Sequence, residues 1–132
     1  MAQAASITVN DRNTPSAVAH TFAPRRVETG LASFVETAAV PIGESNVTVR
    51  WRKSGKRFYQ RMTLSVPALV METINGVSVP TVPRVALIDV TCRFDDTSTE
   101  AERNNAIGMF QNLFASNQAV VNGTMVKLEG VW

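Results

Sequence analysis

Arg50, Arg52, Lys53, Lys56, Arg57 and Arg61 fall within residues 45–71, a stretch that contains no acidic residue. They are six of the thirteen Lys and Arg residues in a chain of 132, and elsewhere seven basic residues face eleven acidic ones. The chemistry open to such a segment is recognition of an anion. Guanidinium groups neutralise phosphates and release their counterions, Thr48, Thr63 and Ser65 can hydrogen-bond phosphate or a base edge, and Tyr59 offers a ring for stacking. Single-stranded or looped RNA exposes its bases to a surface of this kind. The bland alternative is a solvated outer sheet face, but ordinary solvated faces mix both signs and this one does not. The formal charge of +2 is too small to argue binding, so the case rests on distribution.

Strands must position these side chains. Thr48, Arg50 and Arg52 alternate with Val47, Val49 and Trp51, and Tyr59, Arg61, Thr63 and Ser65 alternate with Met62, Leu64 and Val66. That period of two belongs to strands with one buried and one open face. Lys53-Ser54-Gly55-Lys56 supplies the turn, because glycine accepts the positive φ of a two-residue hairpin. The basic residues are therefore expected to share one face of a hairpin.

Nothing in the chain supports catalysis, and no enzyme is expected. The single histidine, His20, lies beside Thr21 and Phe22 and reads as structural or solvated. One Cys and one His cannot make a metal ligand set, so no metal is expected. A glycine-rich phosphate loop and a serine elbow are both missing, and no cofactor is implied. Asp95 and Asp96 precede a helix whose positive end they complement. Cys92, on the apolar parity of its strand, reads as a buried structural thiol and fits a reducing compartment. Without a signal peptide or a stretch of membrane-spanning length, the protein is expected to act in the cytosol where it is made, with no membrane partner.

The remainder reads as strands first and helices last, in one domain. Residues 6–9 and 20–23 look like an N-terminal hairpin, and residues 30–37 like a third strand. Asn75-Gly76, between short apolar runs, is the strongest local turn signal; Pro67, Pro80 and Pro83 bracket this loop and are expected to mark strand ends. Residues 84–94 form a long strand, with Ala86, Ile88, Val90, Cys92 and Phe94 toward the core and Leu87, Asp89, Thr91 and Arg93 outward. Thr99 and Glu102 make a capping box, after which Ala106, Ile107, Met109, Phe110, Leu113 and Phe114 recur at helical spacing. This helix should cover the apolar sheet face, and its wide apolar spread suggests that part of it docks on a second chain. Residues 117–122 suggest a short second helix ending before Gly123.

Pro41-Ile42-Gly43-Glu44-Ser45, residues 47–53, Leu64-Ser65-Val66-Pro67, Thr73-Ile74-Asn75-Gly76-Val77, residues 98–105 and Leu128-Glu129-Gly130-Val131 resemble the coat proteins of the single-stranded RNA bacteriophages, the leviviruses. The resemblance runs in order over nearly the whole chain. It implies an α+β fold: an N-terminal β-hairpin (1–27), a five-stranded antiparallel sheet (28–96) and two C-terminal helices (97–132) that interlock across a homodimer. Dimers of that family tile an icosahedral T=3 shell around genomic RNA. They also bind an RNA hairpin at the replicase start, repressing translation and marking the genome for packaging. Such a protein resides in the virion, and in the host bacterial cytoplasm during assembly.

Carried over by position, the family's pockets for unpaired adenines fall on Leu31, Thr48, Arg50, Arg61 and Thr63. Neighbouring phosphate and loop contacts fall on Asn46, Arg52, Tyr59, Ser65, Leu87 and Asp89. Three positions depart from the better-known members: Leu87 stands where a stacking tyrosine is frequent, Arg50 where a small hydroxyl residue is, and Asp89 where a neutral polar group is common. Glu72, Thr73, Ile74, Asn75, Gly76, Val77 and Pro80 form the expected assembly loop, with Pro80 a candidate for different peptide isomers in different shell environments. A second reading is a dimeric cytosolic RNA-binding module or RNA chaperone that forms no shell. An apolar exposed hairpin with few charges is more natural between shell subunits than on such a module.

Overall fold

The computed structural model describes residues 3–38 and 40–132. Period-two patterning in the first two thirds of the chain produces six strands: β1 (Ile7–Asn10), β2 (Ala19–Glu28), β3 (Leu31–Glu36), β4 (Ser45–Ser54), β5 (Arg57–Ile74) and β6 (Val77–Asp95). They lie side by side in chain order, and the pairs from β1·β2 to β4·β5 are antiparallel. The expectation of a five-stranded sheet with a separate N-terminal hairpin is corrected to six strands. β2 is longer than residues 20–23 and pairs with β1 at one end and β3 at the other, so the hairpin is hydrogen-bonded into the sheet. The β2·β3 register shifts between Pro24 and Arg26, where proline has no N–H to give the ladder.

Pro67, Pro80 and Pro83 do not end strands: Pro67 lies inside β5, and Pro80 and Pro83 inside β6. β4 begins at Ser45 and its last paired position on β5 is Ser65, so Pro67 lies beyond that pairing, near the 3-10 turn Pro41–Gly43. β6 is the last strand in the order and has one side with no neighbour in its own sheet, where proline is tolerated. The expected loop is thus the tip of a long hairpin. Asn75 (φ 52°) and Gly76 (φ 77°) form its two-residue turn, both in the left-handed region that a type I′ turn requires.

One face of the sheet carries the core. Phe22, Phe34 and Val47 are buried together, with Ala32, Val49, Leu64 and Ile7 packed against them. Each fully buried Phe or Val contributes about 1.5–3 kcal/mol of transfer free energy. Cys92 is half-buried and has no disulfide partner. Gly30 seats the β2–β3 turn on β4: its φ is 77°, its carbonyl accepts the Trp51 N–H at 2.8 Å, and a Cβ there would lie 2.7 Å from the Trp51 carbonyl oxygen.

His20, on β2, stands between two carboxylates. Its Nε2 is 2.8 Å from Asp11 Oδ2 and its Nδ1 is 2.8 Å from Glu36 Oε2. Hydrogen bonds to Asp11 and Glu36 push the imidazole above its ordinary range. The Asp11 carboxyl falls to about 2 because it accepts the Val18 N–H, the His20 ring and the Asn13 N–H. The cis peptide bond among the described residues is Thr14–Pro15, in the same β1–β2 connection, and not the bond before Pro80.

The compact unit from Phe94 onward holds α1 (Glu100–Leu113) and α2 (Ala119–Met125). The capping box at the start of α1 is formed: Glu102 N–H donates to Thr99 Oγ1 at 3.2 Å, and Thr99 N–H to Glu102 Oε2 at 3.4 Å. α2 passes through Gly123 instead of ending before it, and the chain then turns at Leu128 (φ 59°) so that Glu129 N–H bonds the Gly123 carbonyl at 3.0 Å. Phe110 and Phe114 meet edge to face with centroids 5.2 Å apart. Neither helix has a buried residue, and Ile107, Met109, Phe110 and Leu113 remain exposed.

Candidate nucleic-acid interface

The β4·β5 register brings the candidate residues together in cross-strand pairs. Asn46 faces Ser65, Thr48 faces Thr63, Arg50 faces Arg61 and Arg52 faces Tyr59. On the other side of β4, Leu31 of β3 faces Arg50. Directly opposed residues in a ladder project to the same side, so these nine form one continuous surface. The face is the one opposite Phe34, Val47, Val49 and Leu64, whose own pairing fills the core side. Arg57, paired with Ser54, joins it.

Two basic residues do not join. Lys53 has the apolar parity and lies over the Phe58 ring at 5.2 Å, and Lys56 is in the turn after Gly55. The expectation that all six basic side chains share one face is corrected to four arginines: the alternation of a strand sends Lys53 to the side opposite Arg52.

β6 completes the surface. Asp89 accepts a hydrogen bond from Thr63 Oγ1 at 2.6 Å and lies 3.2 Å from Arg61 Nη2. The Thr63 hydroxyl first, and the Arg61 guanidinium second, hold its carboxyl below the ordinary carboxylate value. Leu87, two residues away, shares its strand parity and is exposed. Arg93 and Thr91, named only as outward-facing by their sequence pattern, belong to the same site. The Arg93 guanidinium lies 5.9 Å from the Tyr59 ring centroid, and that of Arg52 lies 4.9 Å from it. Cations within about 6 Å of a ring face are held by its quadrupole. Leu31, Arg50, Arg52, Tyr59, Arg61, Thr91 and Arg93 together line an open hollow of 570 Å³.

The arrangement can bind phosphates through Arg50, Arg52, Arg61 and Arg93, and can offer hydroxyls from Thr48, Thr63 and Ser65 between them. Among the described residues no group of three or more His, Cys, Asp or Glu side chains could hold a metal ion. Among the same residues, no helix is long and apolar enough to cross a membrane. At the β5–β6 tip Glu72, Thr73 and Ile74 end β5, Asn75 and Gly76 turn, and Val77 and Pro80 lie in β6; Met71, Ile74 and Val77 are exposed.

Comparison with known proteins shows the family. The chain is 37% identical to the capsid protein of Pseudomonas phage PRR1, over 99% of this chain and 100% of that protein. Its fold is that of the virus-like particle of bacteriophage NT-214, with a TM-score of 0.85 at 21% identity covering 99% and 100% of the two chains. The protein capsid of bacteriophage GA gives a TM-score of 0.80 at 18% identity, with 98% of each chain covered. The family model for the levivirus coat protein matches residues 2–132. From its second residue to its last, the chain belongs to the levivirus coat protein family.

Proposed function

We propose that this structural capsid protein of a levivirus-type phage, which is not an enzyme, assembles as homodimers into an icosahedral T=3 shell around genomic RNA. In the same reading the open sheet face binds an RNA hairpin at the replicase start, repressing translation and marking the genome for packaging. The observation that carries the RNA-binding part is the cross-strand surface of Arg50·Arg61, Thr48·Thr63 and Arg52·Tyr59, which sets guanidiniums, hydroxyls and an aromatic ring side by side on the sheet. Flat, positive faces with an aromatic suit splayed bases and phosphates better than a small metabolite.

Dimer formation draws support from two features. Ile107, Met109, Phe110 and Leu113 of α1 and Val120 and Met125 of α2 are exposed. β6, nineteen residues long, is the last strand in the sheet order, and an edge strand is a template on which another strand pairs. Shell contacts draw support from the exposed, nearly uncharged β5–β6 tip, and the 37% identity to a phage capsid protein favours a shell over a free RNA-binding module. Electron microscopy of the purified protein tests the assembly part: uniform hollow particles support it, and small dimers under all conditions refute it. Filter binding of hairpin and scrambled RNAs to the Arg50→Gln, Arg61→Gln double variant tests the face. Unchanged binding would place the RNA surface elsewhere.

A further inference from the structure

Asp89 is the acidic residue among the candidate side chains of the face, and both of its oxygens are in use there. Oδ1 accepts the Thr63 hydroxyl at 2.6 Å and Oδ2 faces the Arg61 guanidinium at 3.2 Å. A phosphodiester would engage the same two donors in the same way, one anionic oxygen on a hydroxyl and one on a guanidinium. Arg61 and Thr63 are also the residues whose cross-strand partners, Arg50 and Thr48, stand beside them on β4. We propose that Asp89 is an internal competitor for RNA phosphate at this face, occupying Arg61 and Thr63 until a better ligand displaces it. The proposal rests on the RNA-binding reading above.

The physical consequences are directional. The ion pair is partly exposed, with side-chain accessibilities of 54% for Arg61 and 38% for Asp89, so solvent screens it and RNA can break it. Breaking it leaves a carboxylate beside the incoming phosphate, and like charges repel. Every RNA that offers only backbone to this spot meets the same penalty. An RNA that presents base N–H groups there does not, because a carboxylate accepts hydrogen bonds from amino groups. The carboxyl, held ionised by Thr63 and Arg61, keeps this filter active through the neutral and mildly acidic range. Asp89 thereby lowers indiscriminate RNA binding by a face that otherwise has every attribute of a non-specific phosphate surface.

The test compares wild type, Asp89→Asn and Asp89→Glu as full-length proteins binding single-stranded oligouridylate across a salt series. Asn keeps an acceptor for Thr63 and removes the charge; Glu keeps the charge. The expected result is tighter oligouridylate binding by Asp89→Asn, about fivefold at about 0.1 M salt for each copy of the site engaged, with the slope of log K against log salt steeper by about 0.7. Asp89→Glu, which keeps the charge, should show neither the tighter binding nor the steeper slope. Asp89→Ser gives the same readout if the amide variant does not fold. Equal or weaker binding with an unchanged slope in the neutral variants overturns the proposal. The Arg50→Gln, Arg52→Gln variant separates the two levels: if it binds as wild type does, the RNA reading of the face fails. If its binding falls while Asp89→Asn changes nothing, the face binds RNA and Asp89 is no competitor.

Discussion

Arg50 and Arg61 are direct cross-strand partners, two guanidinium residues opposed on the open face of the β4·β5 ladder. Like charges placed opposite each other destabilise a sheet, and Arg61 is compensated by Asp89 while Arg50 has no acidic partner among the described residues. Arg50→Gln is therefore expected to raise the unfolding free energy by roughly 0.2–1 kcal/mol while weakening RNA binding. For each phosphate that the variant no longer neutralises, the slope of log K against log salt should flatten by about 0.7 with single strands and about 0.9 with duplex RNA. Urea denaturation and filter binding on the same preparation read both; a fall in stability would contradict the repulsion.

Thr48 and Thr63 face each other, and among the described residues only the Thr63 hydroxyl has a side-chain partner, Asp89. Thr48→Ala should lower discrimination between cognate and scrambled hairpins by roughly 1–3 kcal/mol if its hydroxyl reads a base. A uniform weakening across both RNAs would assign it to phosphate instead. Dimer content, measured by sedimentation, should not change.

The His20 tie sets a pH window for the N-terminal hairpin. The imidazole is raised above 6.5, so its contribution to stability is complete below that value and is lost as pH rises through the raised folded value. Asp11, lowered from 3.8 to about 2, contributes above its ordinary range, and that part is lost as pH falls toward about 2. Protection of the Val18 and Asn13 amides, both bonded to Asp11 Oδ1 and measured relative to their intrinsic base-catalysed exchange, should be greatest in the mildly acidic interval between the two. In His20→Gln the loss of protection at alkaline pH should disappear; its persistence would detach the loop from His20.

At the β5–β6 tip, Ile74 and Val77 are about half exposed or more, at 52% and 62%, and a charge there disturbs no packed core. Ile74→Asp or Val77→Asp should leave chain stability within about 0.5 kcal/mol and dimers intact, while abolishing particles seen by electron microscopy. Normal particles from both variants would remove the tip from assembly.

Gly30→Ala should destabilise the sheet by more than the roughly 1–2 kcal/mol that a left-handed backbone costs an L residue, because the new Cβ meets the Trp51 carbonyl at 2.7 Å. Since Leu31 follows at once and pairs with Arg50, RNA binding should weaken with it. Thermal unfolding and filter binding check the two effects.

The β4–β5 hairpin was legible because its strands alternate cleanly and a glycine marks the turn; the pairing of Arg50 with Arg61 follows from that turn alone. Lys53 falls on the other face because parity along the strand, and not nearness within the basic stretch, decides the side. Thr91 and Arg93 were legible as outward-facing but not as neighbours of Tyr59. Counted straight down from the Asn75-Gly76 turn, the β5–β6 ladder would send Asp89 and Arg93 to the side opposite Thr63 and Tyr59. The observed contacts require a one-residue shift between turn and site, and a local irregularity of that sort leaves no mark in the amino-acid pattern. The strand-internal prolines misled for a related reason: whether proline ends a strand depends on which side has a neighbour, and that is a property of the whole sheet.

Tyr59 is the one tyrosine of the chain, and it stands on the floor of the arginine-lined hollow with Arg52 and Arg93 near its ring. Biosynthetic replacement by a fluorinated tyrosine therefore installs a single fluorine nucleus per subunit at the centre of the face and nowhere else. Its resonance would register occupancy of that hollow directly, free of the background that two tryptophans impose on optical emission. Because the chain has one tyrosine, that label reaches the face without any second site to remove.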